Sequence, residues 1–301
     1  MLRAVKKRSL ALTSRALTRY ASREDRIGRT VRSLSTATFS KLGAWGQFGN
    51  QLFQISAVLG YATEYGCRAK LPPWRCAVKG VDYQVIFPRI ADYIGRVPGV
   101  LYCQPSFAFH KIPFIFNADL RGHFQSERYF QGAAPLVRRI FEEPAPVTAR
   151  LNEYCASHNL TDFDAIHMRF YSHANDKGYP MEQLPEAYYL SAAREMGARG
   201  RLVVATDDKR AFERFSAFHA IRPDIHLLTF DDPILDFYCL SRAQRVAISN
   251  SSFSWWAAYL GRKKERVFAP DRYYWFSTRV RHNPFWDTRD LYPGYFDELI
   301  W

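Results

Sequence analysis

No run of about 18 apolar residues occurs in the chain, so nothing in it reads as a membrane-spanning helix. The amino-terminal stretch also lacks the continuous apolar segment of a cleaved secretory signal. Cysteine is scarce: Cys67, Cys76, Cys103, Cys155 and Cys239 make an odd set of five, and no two have C-x-x-C spacing. That fits a reducing compartment better than a disulfide framework, and it offers no zinc pattern. The eight histidines form no H-E-x-x-H, so that zinc-hydrolase signature is missing too. Acidic residues are short against basic ones, 29 to 42, and the deficit is local. Residues 1–41 hold eight Arg and three Lys against Glu24 and Asp25, which is nine of the chain's thirteen net positive charges. The basicity therefore describes the amino-terminal stretch and says little about the folded body.

What is present points to an ordinary folded protein. Of 301 residues 48% are apolar, enough for one large domain or two of ordinary size. Aromatics reach 16%. Aromatic-rich clefts suit sugar rings, but most aromatics are expected to be core. Residues 1–41 read as a basic flexible tail, rich in Arg, Ser and Thr. Three readings of it compete: a solvated tail, peripheral association with an anionic membrane surface, and an organelle transit peptide, whose composition it shares. Nucleic-acid binding is not expected, since the tail has no interleaved aromatic platform. The localisation expected is cytoplasmic or peripheral to a membrane, with organelle import left open.

The body divides into residues 42–145 and 146–301, with "FEEPAPVTAR" (141–150) as linker. The first half opens on a glycine-rich loop and a helix near Asn50, then turns irregular and rich in proline and aromatics. The second half is cleaner. "FDAIHMRF", "RLVVATDD", "RVAIS" and "RVFAP" read as strands; "EAYYLSAAREMGARG", "DPILDFYCLSRAQ" and "SSFSWWAAYLG" read as helices. This alternation predicts an open parallel α/β sheet, whose ligands sit outside the carboxyl ends of the strands.

Three stretches fall at those ends. "SNSSFSWW" (249–256) spans a strand-to-helix loop and a helix start, where backbone N–H groups and the side chains of Ser249, Asn250, Ser251 and Ser252 suit an anion such as a diphosphate. A single Ser would serve as an ordinary N-cap, and four polar residues exceed that need. In "IHMRF", His167 and Arg169 face the same way on a strand. Arg169 offers a planar fork that matches phosphate oxygens, and an internal Arg–carboxylate pair is the equal alternative. In "VVATDD", Asp207 or Asp208 either accepts from a ribose or guanine edge or caps the next helix. Within "GAWGQFGNQLFQ", Gly43, Gly46 and Gly49 permit tight turns and close approach to a ligand, while Gln51 and Gln54 read as surface or helix-to-loop side chains.

Together "GQFGNQLFQISA", "GHFQSERYF", "HMR" and "ISNSSFSWWAAYLG" resemble the α-1,2-fucosyltransferase family, in order and spacing. The resemblance implies a GT-B-like enzyme of two Rossmann-like halves facing a central cleft. Residues 42–145 would form the acceptor side and 146–301 would hold GDP-fucose. It implies an inverting, metal-independent transfer from GDP-β-L-fucose to a sugar hydroxyl, normally the galactose 2-OH of a glycan, with no cofactor beyond the donor. Arg169 would bind the diphosphate and stabilise the leaving GDP. Ser251, Ser252 and Phe253 would contact phosphate or fucose, and Asp207 or Asp208 the nucleoside. Asn50, Gly46 and Gly49 would line the reacting centre. After "H-x-R" the family continues with a second Arg, Gly and an acid, where this chain has Phe170, Tyr171 and Ser172. The catalytic base is therefore open among Glu127, His167, His173 and Asp176. The same departure motivates the alternative, a non-catalytic glycan- or nucleotide-sugar-binding descendant.

Overall fold

The computed structural model describes residues 2–171, 180–197, 200–222, 224–261 and 264–301. The chain forms two α/β units, Met1–Phe141 and Glu142–Trp301.

The first unit begins with helices α1 (Leu2–Ala21) and α2 (Arg26–Leu34). The flexible tail expected over residues 1–41 is corrected here, because its polar residues serve as caps and ties. Asp25, one of its two acids, caps α2 by accepting from the Gly28 amide at 2.9 Å. The Ser14 hydroxyl donates to the Phe116 carbonyl at 2.8 Å, and the Phe116 amide donates to the Thr18 hydroxyl at 3.2 Å. Strand β1 (Thr36–Thr38) also lies in this stretch and is buried throughout. The 18-residue α3 (Phe48–Tyr65) follows it and leads to β2 (Arg68–Ala69). Most of α3 is buried on all sides, which is why its apolar residues show no single stripe. It stops at Gly66, whose φ of 65° is the left-handed cap conformation.

The stretch expected to be irregular contains α4 (Tyr83–Ile86), β3 (Val100–Cys103), β4 (Ala118–Arg121) and α5 (Ala134–Ile140). The strands make one parallel sheet in the order β2-β1-β4-β3, so the carboxyl ends of β1 and β4 are neighbours. Phe48, Trp74, Tyr83, Phe87 and Phe141 pack ring on ring, with centroids 4.9 to 6.3 Å apart. Much of the aromatic content is thus core.

The second unit starts with α6 (Ala145–Ser157), which corrects the linker expected over 141–150. Its two prolines belong to the helix start, Pro144 as the N-cap residue and Pro146 in the first turn, where a missing N–H costs nothing. Then come β5 (Phe163–Met168), α7 (Glu186–Met196), β6 (Arg201–Thr206), α8 (Lys209–Glu213), α9 (Ser216–Ile221) and β7 (Ile225–Leu227). α10 (Pro233–Arg242), β8 (Arg245–Ala247), α11 (Ser252–Leu260), β9 (Arg266–Pro270) and β10 (Phe296–Leu299) complete it. The expected strands and helices of this half are all present. All pairings are parallel, in the order β10-β9-β8-β5-β6-β7. From β5 the chain winds outward one way to β7, then returns to β8 and winds the other way. That is the dinucleotide-fold strand order, and its switch point lies between β5 and β8.

Candidate functional site

The switch point of the second unit gathers the residues singled out from the sequence. His167 on β5 and Ser249 just past β8 meet there, with Nδ1 of the ring 2.8 Å from the Ser249 hydroxyl. The ring also lies 5.4 Å from that of Phe253. Arg169, one residue beyond β5, pairs with Asp207, one residue beyond β6, at 2.7 Å. The other Asp207 oxygen accepts from the Phe170 amide at 2.9 Å. Both side chains of the pair keep about a third of their surface exposed, 31% and 32%, so the fork is held in place and still open to a ligand. Asp208 caps α8 by accepting from the Ala211 amide at 2.9 Å. Of the two adjacent aspartates, Asp208 takes the capping role foreseen for either, and Asp207 holds an arginine, a role not foreseen for it.

The start of α11 forms the adjoining wall. Ser251 is its N-cap and accepts from the Phe253 amide at 3.3 Å. Ser251, Ser252 and Phe253 are half-buried. Ser249 and Asn250, expected to face an anion as well, are corrected to internal parts, because both are fully buried and already engaged. Ser249 is taken by His167, and the Asn250 amide donates to the carbonyls of Glu182, Tyr274 and Trp275. Trp255 and Trp256 are both core. The polar run ahead of the tryptophans thus splits into two buried struts and a half-open helix start.

Tyr171 is a site residue that the sequence did not reveal. Its hydroxyl donates to the Asn250 carbonyl at 2.8 Å, and the Arg169 guanidinium lies 5.4 Å from its ring centre. Gln183 accepts from the Tyr171 amide at 2.9 Å. At the sequence level Tyr171 is only a departure from "H-x-R" followed by Arg and Gly, and no local pattern signals a tie to a distant carbonyl. His173 and Asp176 lie outside the described residues.

Electrostatics separate the titratable groups. Burial, reinforced by the Arg169 charge, pushes the His167 pKa down to about 3 and keeps the ring neutral. Burial raises the Asp207 carboxyl and Arg169 opposes that shift. His167 makes the fold acid-sensitive. Above pH 6.5 it is neutral whether folded or unfolded and contributes nothing. As pH falls from about 6.5 towards 3, only the unfolded chain gains the proton, so the native state loses ground. The loss expected from this residue at pH 5 is about 2 kcal/mol. Urea unfolding at pH 7 and pH 5 checks it: His167→Asn should lose that much less on acidification than the parent.

In the first unit the glycine loop and the "GHFQ" segment leave the carboxyl ends of the neighbouring strands β1 and β4. Gly43 and Gly46 have φ of 79° and 75°. A Cβ at Gly46 would stand 2.6 Å from that of Asn50, so the turn lies against this side chain. Gly49 is buried in the first turn of α3. Gln51 and Gln54 are buried helix-to-loop donors, to the carbonyls of Gly46 at 2.8 Å and Trp45 at 3.0 Å. The Asn50 side-chain oxygen accepts from the Gln125 amide at 2.7 Å, joining loop and segment. Gln104, another residue without a sequence signal, braces the segment by accepting from the His123 and Phe124 amides at 2.7 and 2.9 Å. Phe124 there holds a φ of 52°. Glu127 sits in the next turn, half-buried; burial raises its carboxyl and the Arg138 charge opposes the shift.

The structure thus brings His167, Arg169, Asp207, Ser251, Ser252 and Phe253 to one edge of the second unit. It brings Gly46, Gly49 and Asn50 to one edge of the first, with Glu127 two residues past Gln125. Among the described residues no group of three His, Cys, Asp or Glu side chains has metal-holding geometry, and no helix is long and apolar enough to cross a membrane.

No protein-family model matches the chain. It is 26% identical over 188 residues to an α-1,2-colitosyltransferase of Escherichia coli, a match covering 58% of this chain. The chain spans 64% of the length of that curated relative. Among solved structures it is similar to the fucosyltransferase NodZ from Bradyrhizobium, with TM-score 0.52 and 15% identity over 79% of this chain and 95% of that one. It is similarly related to NodZ α-1,6-fucosyltransferase co-crystallised with GDP, with TM-score 0.53 and 14% identity over the same shares. At such identities the likeness is one of fold, which is α/β and GT-B-like. The resemblance to fucosyltransferases read from the motifs agrees with these neighbours.

Proposed function

We propose that the chain is an inverting glycosyltransferase that moves fucose from GDP-β-L-fucose to the 2-hydroxyl of a galactose in a glycan, forming an α-1,2 linkage. The observation that carries the reading is the Arg169–Asp207 pair at the carboxyl ends of β5 and β6, next to a dinucleotide-fold switch point whose other side is the open first turn of α11. The colitosyltransferase relative and the NodZ structure holding GDP support it.

In this reading the diphosphate lies between Arg169 and the first turn of α11, with Ser252 and Phe253 against phosphate and sugar. Departure of GDP builds negative charge there. A held guanidinium and a helix start offset that charge most where water is excluded, and the reading needs no metal. Asp207 keeps the fork aimed. His167 is a weak base with its pKa at about 3, so its part is to position Ser249 and Phe253. The acceptor hydroxyl attacks the anomeric carbon from the face opposite GDP and gives up its proton. On the first unit Glu127 is a candidate for such a proton, its carboxyl raised by burial with the Arg138 charge opposing. Asn50, with Gly46 and Gly49, lines the acceptor side.

A colitose donor is the second reading, favoured by the 26% identity to an α-1,2-colitosyltransferase over 188 residues. GDP release measured with a panel of galactosides tests the proposal. Release from GDP-fucose should rise with one galactoside, and NMR of the product should show substitution at O2. GDP that fails to raise the melting temperature would overturn the reading, since a bound ligand must stabilise the native state. Release only from a colitose-nucleotide donor would select the second reading.

A further inference from the structure

Trp45 is the one tryptophan among the large exposed apolar side chains of the described residues, with 41% of its surface open. Trp74, Trp255, Trp256 and Trp275 are buried. An exposed indole at a loose loop tip would mean little, but this loop is locked. The Trp45 carbonyl accepts from Gln54 at 3.0 Å and the next carbonyl, of Gly46, accepts from Gln51 at 2.8 Å. Gln51 is itself held by the Trp74 indole N–H at 2.8 Å. A side chain at Gly43 would strike the Arg75 carbonyl, its Cβ only 2.1 Å away. The backbone therefore has one course, and it presents the ring outward.

The inner side of the ring is backed by other rings. Phe39 lies 6.4 Å from it, and His123 5.3 Å. His123 continues to Phe107 at 5.7 Å, and burial pushes its pKa down to about 4, so at neutral pH the backing carries no charge. An amide stands beside the loop: a Cβ at the adjoining Gly46 would lie 2.6 Å from that of Asn50. Asn50 accepts from Gln125 at 2.7 Å, and Gln125 comes two residues after the His123 that backs the ring. One open aromatic face beside an amide pair does not make the contiguous apolar patch of a protein interface. It is the composition of a sugar subsite, an apolar face for C–H groups with polar groups for hydroxyls.

We infer that Trp45 is a stacking platform for a galactose-configured pyranoside, the acceptor sugar, on the carboxyl edge of the first unit's sheet. The axial O4 of that sugar leaves C–H3, C–H4 and C–H5 together on the opposite face, which fits an indole. Asn50, half-buried beside the same turn, offers an amide for its hydroxyls. The inference rests on the transferase reading for the word acceptor, but not for the binding itself.

Saturation-transfer NMR with methyl β-galactoside and methyl β-glucoside tests it, with the GDP-induced thermal shift measured in parallel. The parent should saturate H3, H4 and H5 of the galactoside more than the glucoside. Trp45→Ala should weaken galactoside binding about tenfold and Trp45→Phe by no more than about threefold. The GDP shift should stay unchanged in both, and Trp45→Gln serves if the alanine variant does not fold. Equal saturation of the galactoside in parent and alanine variants, or none in the parent, would overturn the platform while a GDP shift kept the donor site standing. Trp45-dependent saturation without any GDP shift would keep the platform and remove the transferase.

Discussion

Replacing Arg169 with alanine is expected to lower turnover of GDP-fucose by about 10²–10³-fold and to leave the fold standing. The two halves of that expectation come from the same pair. The guanidinium is held by Asp207 at 2.7 Å and about two thirds covered, so it needs little reorganisation when charge develops on a leaving diphosphate. Donors fixed in advance do most for a transition state. The pair itself is too exposed to hold much of the fold: partly open ion pairs contribute about 1 kcal/mol or less. Arg169→Ala should therefore melt within a few degrees of the parent, yet show a much smaller stabilisation by GDP. Arg169→Lys should not restore turnover, because an ammonium lacks the planar fork. Turnover within about threefold of the parent in the alanine variant would remove Arg169 from the chemistry and with it the donor site drawn here.

How much of this was legible in the sequence depended on the length and period of each element. β5, β6, β9, α7 and α10 announce themselves by apolar runs bounded by Gly, Pro or charged residues. β7 and β10, "IHL" and "FDEL", are sheet-edge strands of three and four residues with mixed polarity, and nothing local distinguishes them from loop. β1 is "TAT", too short to carry a period, and it hid beneath the basic charge that made residues 1–41 read as a tail. The site was legible where chemistry demands unusual residues, such as Arg169 beside a strand of Ile and Met. It was not legible where a role depends on a distant partner. Tyr171 finds its carbonyl 79 residues along the chain, and Ser249 is consumed by a histidine 82 residues away. No spacing rule reaches across such separations. The sequence left an internal Arg–carboxylate pair and a ligand-binding fork as equal readings of Arg169; the structure shows the pair and leaves about a third of it exposed.

Strand β5 carries a second arginine–carboxylate pair at its other end, and breaking that one is expected to unfold the protein rather than to silence it. Asp164 accepts from both Nε and Nη2 of Arg245 on neighbouring β8, at 2.8 and 2.6 Å. The residues are 2% and 8% exposed, so water does not replace a lost partner. Asp164→Leu strands a guanidinium in the sheet and should cost about 3–5 kcal/mol. The double variant Asp164→Leu, Arg245→Met removes both charges and their desolvation together, and should recover most of that loss. Urea unfolding of Asp164→Leu, Arg245→Met and the double variant gives the coupling, and a loss below about 1 kcal/mol in Asp164→Leu would show that the pair is solvated in solution. Asp164 lies one residue before the register that sets Ala165 opposite Val246, and His167 and Ser249 follow at the carboxyl ends of the same two strands. The buried pair therefore pins the alignment on which the switch-point contact depends. One strand thus ends in a closed pair that holds the sheet and an open pair that can meet a ligand, and burial alone tells them apart.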